Sequence, residues 1–189
     1  MALRLHRFSA LVLIAGMAVV SADGAGAEPG EIRLGPIEVG VTPCAEAERA
    51  ILDSGSGEGG YFANATGAVA YKLHPHAFGF DFVQDGFVAC DEAGQAVAAV
   101  AVVIPKHRAN EIADALSRNH RQLSRNLPSL GGGMARFRSA SGETVAEIAY
   151  VHVSFSADLL IQTRSYESAV EAWRRRQADD ERQRLEGAF

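Results

Sequence analysis

The stretch from Gln95 to Ile104 narrows the fold more than any other segment. It is an apolar run opened by Gly94 and closed by Pro105. It is far shorter than the roughly 20 residues a membrane span needs, and its valines and isoleucine favour extended backbone. Proline cannot continue a central hydrogen-bond ladder, so the run reads as one central strand that stops at Pro105. A central strand needs a neighbour on each edge. Upstream, Asp91-Glu92-Ala93-Gly94 is a hairpin connection to Phe87-Val88-Ala89-Cys90. Further upstream, Gly67 to Leu73 is β-prone, Asp85-Gly86 marks a kink or turn, and Phe78, Phe80 and Phe82 alternate with Gly79 and Asp81. That alternation predicts a strand with three rings on one face.

Downstream, the spacing of Ala109, Ile112, Leu116, Leu123 and Leu127 predicts a long helix over Pro105–Asn126. Glu111 and Asp114 lie early in it, and Arg118, Arg121 and Arg125 late, the order that complements the helix dipole. Asp114 and Arg118 stand four apart and form an expected ion pair. Gly131-Gly132-Gly133 then leads into a meander with strands at Met134–Arg138, Glu143–Phe155 and Leu159–Thr163. In the second of these, Val151, Val153 and Phe155 are expected on one face, opposite Tyr150, His152 and Ser154. Ser165 is the expected cap of a last helix with a buried stripe of Tyr166, Ala169, Val170 and Trp173. Beyond it lies the polar stretch Arg174–Phe189, with ion pairs expected at Arg175–Asp179, Arg176–Asp180 and Asp180–Arg184. Near the start, Ile37, Val39 and Val41 form a weak strand. Thr42-Pro43 opens a helix that turns Cys44, Ala47 and Ile51 inward.

Hairpins and meanders imply antiparallel pairing. The expected class is therefore α+β, an antiparallel sheet of about five or more strands with two main helices packed on it. The order of elements resembles that of profilin-like and roadblock-like domains. This is a likeness of order alone, which implies no activity.

The compartment follows from residues 1–27. Arg4, His6 and Arg7 precede the apolar run Ala10–Val20, and Ala25-Gly26-Ala27 supplies small residues before Glu28, the layout of a cleavable secretory signal. Residues 28–35 read as a linker and 36–189 as one domain with a polar C-terminal extension over 174–189. An exported chain, periplasmic or secreted, folds where thiols oxidise. Its only two cysteines, Cys44 and Cys90, are therefore the expected disulfide. The formal net charge of −5 lacks the positive field of a nucleic-acid binder. No segment after the leader is long and apolar enough for insertion into a membrane.

Candidate chemistry is sparse. His74-Pro75-His76 can present two imidazoles on one side of an extended segment, enough for zinc or copper if a third ligand such as His152 or Asp81 arrives. His120, at the edge of the apolar helix stripe near Leu116, reads as a partly buried neutral ring with a satisfied nitrogen. Gly55-Ser56-Gly57-Glu58-Gly59-Gly60 matches G-x-G-x-x-G only formally. It follows a helix, and Glu58 repels phosphate. Asn64-Ala65-Thr66 is a glycan acceptor only in a eukaryotic secretory route. No nucleophile elbow or zinc-protease motif occurs. The sequence thus points to a small exported, non-enzymatic module that binds a protein partner or a small ligand. The alternatives are a metal-binding protein or metal-dependent hydrolase using His74 and His76, and an assembly subunit that docks through its C-terminal helix.

Overall fold

The computed structural model describes residues 30–58 and 67–186; the leader and the Asn64 acceptor lie outside the described residues. The chain begins with a small hairpin, β1 (Arg33–Leu34) and β2 (Ile37–Glu38), followed by α1 (Cys44–Asp53). Four strands come next: β3 (Gly57–Glu58), β4 (Ala70–Leu73), β5 (Asp85–Cys90) and β6 (Val97–Pro105). Then α2 (Ala109–Asn119) precedes four more: β7 (Arg121–Asn126), β8 (Gly133–Arg138), β9 (Thr144–Tyr150) and β10 (Ser156–Thr163). A final helix, α3 (Arg164–Glu186), completes the described chain.

The eight longer-range strands form one antiparallel sheet in the order β3-β4-β5-β6-β10-β9-β8-β7. The class is α+β, as expected from the hairpins. The order has an internal symmetry: a helix and a four-strand meander occur twice, and the last strands of the two units, β6 and β10, pair at the centre. Val102 faces Leu159 in that ladder, with Val100 opposite Ile161 and Ile104 opposite Ala157.

The apolar run is two-faced. Val100, Val102 and Ile104 point into the main core with α1, α2 and the β1–β2 hairpin, where Ile32, Ile37, Ile51, Phe137, Ile148 and Ile161 are also fully buried. Ala98 and Ala99 point the other way, and with Ala70 and Ala89 they make a shallow floor against which Tyr166 of α3 is buried. Small side chains there let the helix approach closely. At Gly86 the constraint is stricter still: a Cβ would lie 2.2 Å from the Ala101 carbonyl oxygen across the β5–β6 ladder, so the position read as a kink is a close approach between strands.

Cys44, in the opening turn of α1, meets Cys90 at the end of β5, with Cα atoms 5.9 Å apart and both residues buried. That spacing suits a disulfide, and the bridge ties helix to sheet. Cys44, Ala47 and Ile51 form the buried face of α1, as their spacing requires. The helix starts one residue later than Thr42-Pro43 suggested: Thr42 Oγ1 accepts from the Glu38 N–H and does not cap it. Ile32 and Leu34, in the stretch read as linker, are buried.

Four other expectations are corrected. The long helix ends at Asn119, because His120 is extended and Arg121–Asn126 pairs with β8 as an edge strand. The ladder hydrogen bonds outweigh an apolar spacing that matched a helix by coincidence. Accordingly Asp114 pairs with Arg125 at 2.6 Å, not with Arg118. Phe78, Phe80 and Phe82 are not on a strand: His76 and Phe78 adopt positive φ around a 3-10 turn, and the His76 N–H reaches the Val83 carbonyl at 2.9 Å, closing a loop. Phe80 and Phe82 stack there, with ring centroids 4.8 Å apart. Gly57–Glu58, in the glycine-rich stretch after α1 that reads as a flexible loop stopping the helix, instead pair with β4. The strand expected over Glu143–Phe155 stops at Tyr150, and Ser156-Ala157-Asp158, which the spacing of the meander leaves as the turn between its last two strands, belongs to β10.

The last helix also differs in detail. The Tyr166 N–H donates to Thr163 Oγ1 at 3.2 Å, so the cap lies two residues ahead of the expected Ser165. Tyr166 is buried and Val170 packs beside it, but Trp173 is 40% exposed. Among the described residues the ion pair in the polar stretch is Arg182–Asp179 at 3.8 Å. None of the three expected pairs forms. No helix among the described residues is long and apolar enough to cross a membrane.

Candidate functional site

The residues Val151–Phe155, expected as strand, instead make a tight connection between β9 and β10. The Ser154 N–H bonds to the Val151 carbonyl at 3.2 Å. Its hydroxyl donates to the Ser156 carbonyl at 2.8 Å and accepts from the Ser156 N–H at 3.0 Å. The Phe155 carbonyl accepts from the Lys106 N–H at 2.8 Å, pinning the turn to the 3-10 segment Lys106–Arg108 that leads into α2. With the backbone fixed in this way, the apolar side chains have nowhere to go but outward. Phe155 is 96% exposed, Val153 81% and Val151 68%.

Across from this turn runs the segment from Leu127 to Gly132. It is fastened by three side chains: Tyr150 Oη donates to the Pro128 carbonyl at 2.7 Å, Lys106 Nζ to that of Gly131 at 3.0 Å, and Asn110 Nδ2 to that of Leu127 at 3.3 Å. Leu130, at its tip, is 84% exposed. The glycines have a reason here. At Gly133 a Cβ would lie 2.6 Å from Cζ of Tyr150, so only glycine lets the chain pass that ring.

Between the two segments lies a cleft of about 710 Å³, lined by Lys106, His107 and Asn110 on one side and by Leu130, Tyr150, His152, Val153 and Phe155 on the others. That volume is in the range of small-molecule sites, roughly 300–1,000 Å³. Lys106 Nζ sits 4.5 Å from the centroid of the Tyr150 ring, a cation–π contact. Burial raises the Tyr150 hydroxyl above its ordinary range, and the hydroxyl is already committed as a donor to Pro128. The lining contains no carboxylate.

The sequence candidates fall elsewhere, apart from His152. His74 follows β4, with Nε2 3.6 Å from Glu58 Oε1. His76 is left-handed, which breaks the extended geometry that would have aimed both rings to one side. His152 lies in the cleft, four strand positions away across the sheet, or about 19 Å by the usual strand spacing. Asp81 is engaged by Arg108 at 2.9 Å. Among the described residues no group of three or more His, Cys, Asp or Glu side chains is placed to hold a metal ion.

His120 also departs from expectation. It follows α2 in extended conformation, and its Nδ1 is buried without a hydrogen-bond partner, where a satisfied nitrogen was expected. Burial lowers its pKa, with the nearby Glu31 charge opposing. For Glu31 itself burial acts upward, but bonds from Ser141, Thr144 and Ser139 together with the charge of His120 carry it below its ordinary value.

Comparison of the chain with known protein families, with curated proteins and with solved structures gave no match. The functional reading therefore rests on the geometry of the cleft.

Proposed function

We propose that this protein is an exported, non-enzymatic α+β module whose binding site for a small ligand is the cleft between the β9–β10 turn and the Leu127–Gly132 segment. One observation carries the reading: three large apolar side chains of the cleft lining, Leu130, Val153 and Phe155, stand exposed on segments held by hydrogen bonds. Single exposed apolar residues are ordinary, but a cluster around a concave site marks a surface meant to be covered. A disulfide-distance cysteine pair agrees with folding in an oxidising compartment. The apolar rim supplies the affinity, and the fixed polar groups at the base of the cleft supply orientation.

The test is binding of a neutral, environment-sensitive dye such as Nile red. The oxidised protein should enhance its emission, and the double variant Val153→Ser/Phe155→Ser should lose most of that gain at unchanged thermal midpoint. Both side chains are already in solvent, so the substitutions cost little stability, within about 0.5 kcal/mol. Equal enhancement by the variant and the parent would show that the dye binds elsewhere and remove the assignment.

A further inference from the structure

The charge pattern of the cleft says more than its shape does. The chain as a whole is acidic, with 23 Asp and Glu against 18 Lys and Arg, yet the lining holds Lys106, His107 and His152 and no acid. Among the described residues none of these three forms an ion pair. Two arginines near α2 are neutralised locally, Arg108 by Asp81 and Glu111 and Arg125 by Asp114, whereas Arg118 has no ion pair among the described residues but does not line the cleft. Lys106 is an unpaired cation inside the lining. Its ammonium has one carbonyl acceptor, Gly131 O, and the face of Tyr150. An ammonium carries three donors, so its charge and part of its bonding capacity remain for a ligand.

Resting on the reading of the cleft as the ligand site, we propose that its ligand is an amphipathic anion: an apolar chain or ring that ends in a single carboxylate. An apolar body seated against Leu130, Val153 and Phe155 strips water from the Lys106 ammonium beneath. Removing water from a charge is costly unless an opposite charge replaces it. A ligand with a carboxylate head meets that need, a neutral one leaves the ammonium uncompensated, and a cationic one opposes it.

The experiment compares three ten-carbon probes, decanoate, decanol and decyltrimethylammonium, below their aggregation limits by calorimetric titration against the full oxidised chain. Decanoate should bind roughly tenfold or more tightly than decanol, as expected for hydrogen bonds to a charged group, and the cation should bind least. Lys106→Met should abolish the preference, bringing decanoate to whatever affinity the same variant shows for decanol; a decanoate advantage retained in the variant overturns the assignment. As a check that needs no variant, raising salt from ~50 mM to ~500 mM should shrink the decanoate advantage and leave decanol unaffected. Should decanol or the cation match decanoate, the anion assignment fails while the cleft stands as an apolar site. Should none of the three bind, the reading of the cleft fails with it.

Discussion

The two helix-plus-meander units share an order of elements but hold their helices by different chemistry. In the first, α1 is bonded covalently to β5 through Cys44 and Cys90. In the second, α2 is tied to the edge strand β7 by polar contacts: Arg125 reaches Asp114 at 2.6 Å and Asn110 Oδ1 at 2.9 Å, all near the surface. The cleft belongs to the second unit, built from the start of α2 and the connections flanking β8 and β9. The first half has a covalent brace, while the half with the cleft adds charges and hydrogen bonds to the apolar packing of Ala109 and Ala113 of α2. Binding regions are commonly drawn from the less stable parts of a fold, and the proposed site lies in the half without the covalent bridge.

The largest test of the contrast removes the covalent brace. A bridge across 46 residues of sequence contributes about 3–4 kcal/mol in the chain-entropy picture. Cys44→Ser/Cys90→Ser should lower the urea unfolding free energy by that amount, and mass measurement after alkylation should find no free thiol in the parent. If the variant unfolds at the parent's midpoint, the bridge is not what distinguishes the first unit.

The polar brace should matter far less. Exposed ion pairs are worth about 0–1 kcal/mol, and Arg125 adds a second acceptor to its partner Asp114. Arg125→Met should therefore cost about 1 kcal/mol, and the loss should shrink at high salt. Hydrogen exchange should quicken in β7 and the end of α2 while α1 stays protected. Uniform loss of protection across both helices would mean that the two units open together and that the comparison has no energetic content.

The same contrast explains what could be read from sequence. The first unit was legible where the pattern was local and apolar: the inward face of α1, the Asp91–Gly94 hairpin and the run through Ile104 all follow from residue spacing. The second was not. Arg121–Asn126 is exposed along its whole length, so it has no inward residues to show a strand period, while Leu123 and Leu127 continue the helical spacing of α2 by accident. Val151, Val153 and Phe155 alternate as a strand would, and only the Ser154 bonds reveal that the chain has turned. The triple glycine was a usable signal for close approach to Tyr150, but a glycine run reads equally well as a flexible loop. His152 was singled out for its chemistry and does lie in the cleft, although not among the partners first considered for it.

The smallest expected effect concerns the seam between the units, where His120 from the second faces Glu31 from the hairpin that precedes the first. Burial favours the neutral ring in the folded protein. Well above the ordinary histidine value, about 6.5, folded and unfolded chains both carry it neutral and nothing is lost. As pH falls through that value the unfolded chain takes up the proton more readily, so stability declines. Glu31 acts in the same sense at lower pH: its lowered value stabilises the fold above the ordinary carboxylate range, and that contribution disappears as the carboxylate protonates. Between pH ~7.5 and ~5.5 the histidine dominates this pair. His120→Gln should therefore reduce the fall in thermal midpoint across that interval, with little change at the upper end. A variant that declines as steeply as the parent would place the acid sensitivity elsewhere, and the seam would then be held by its buried apolar side chains, Ile32 before the hairpin and Leu34 within it, and not by the state of this ring.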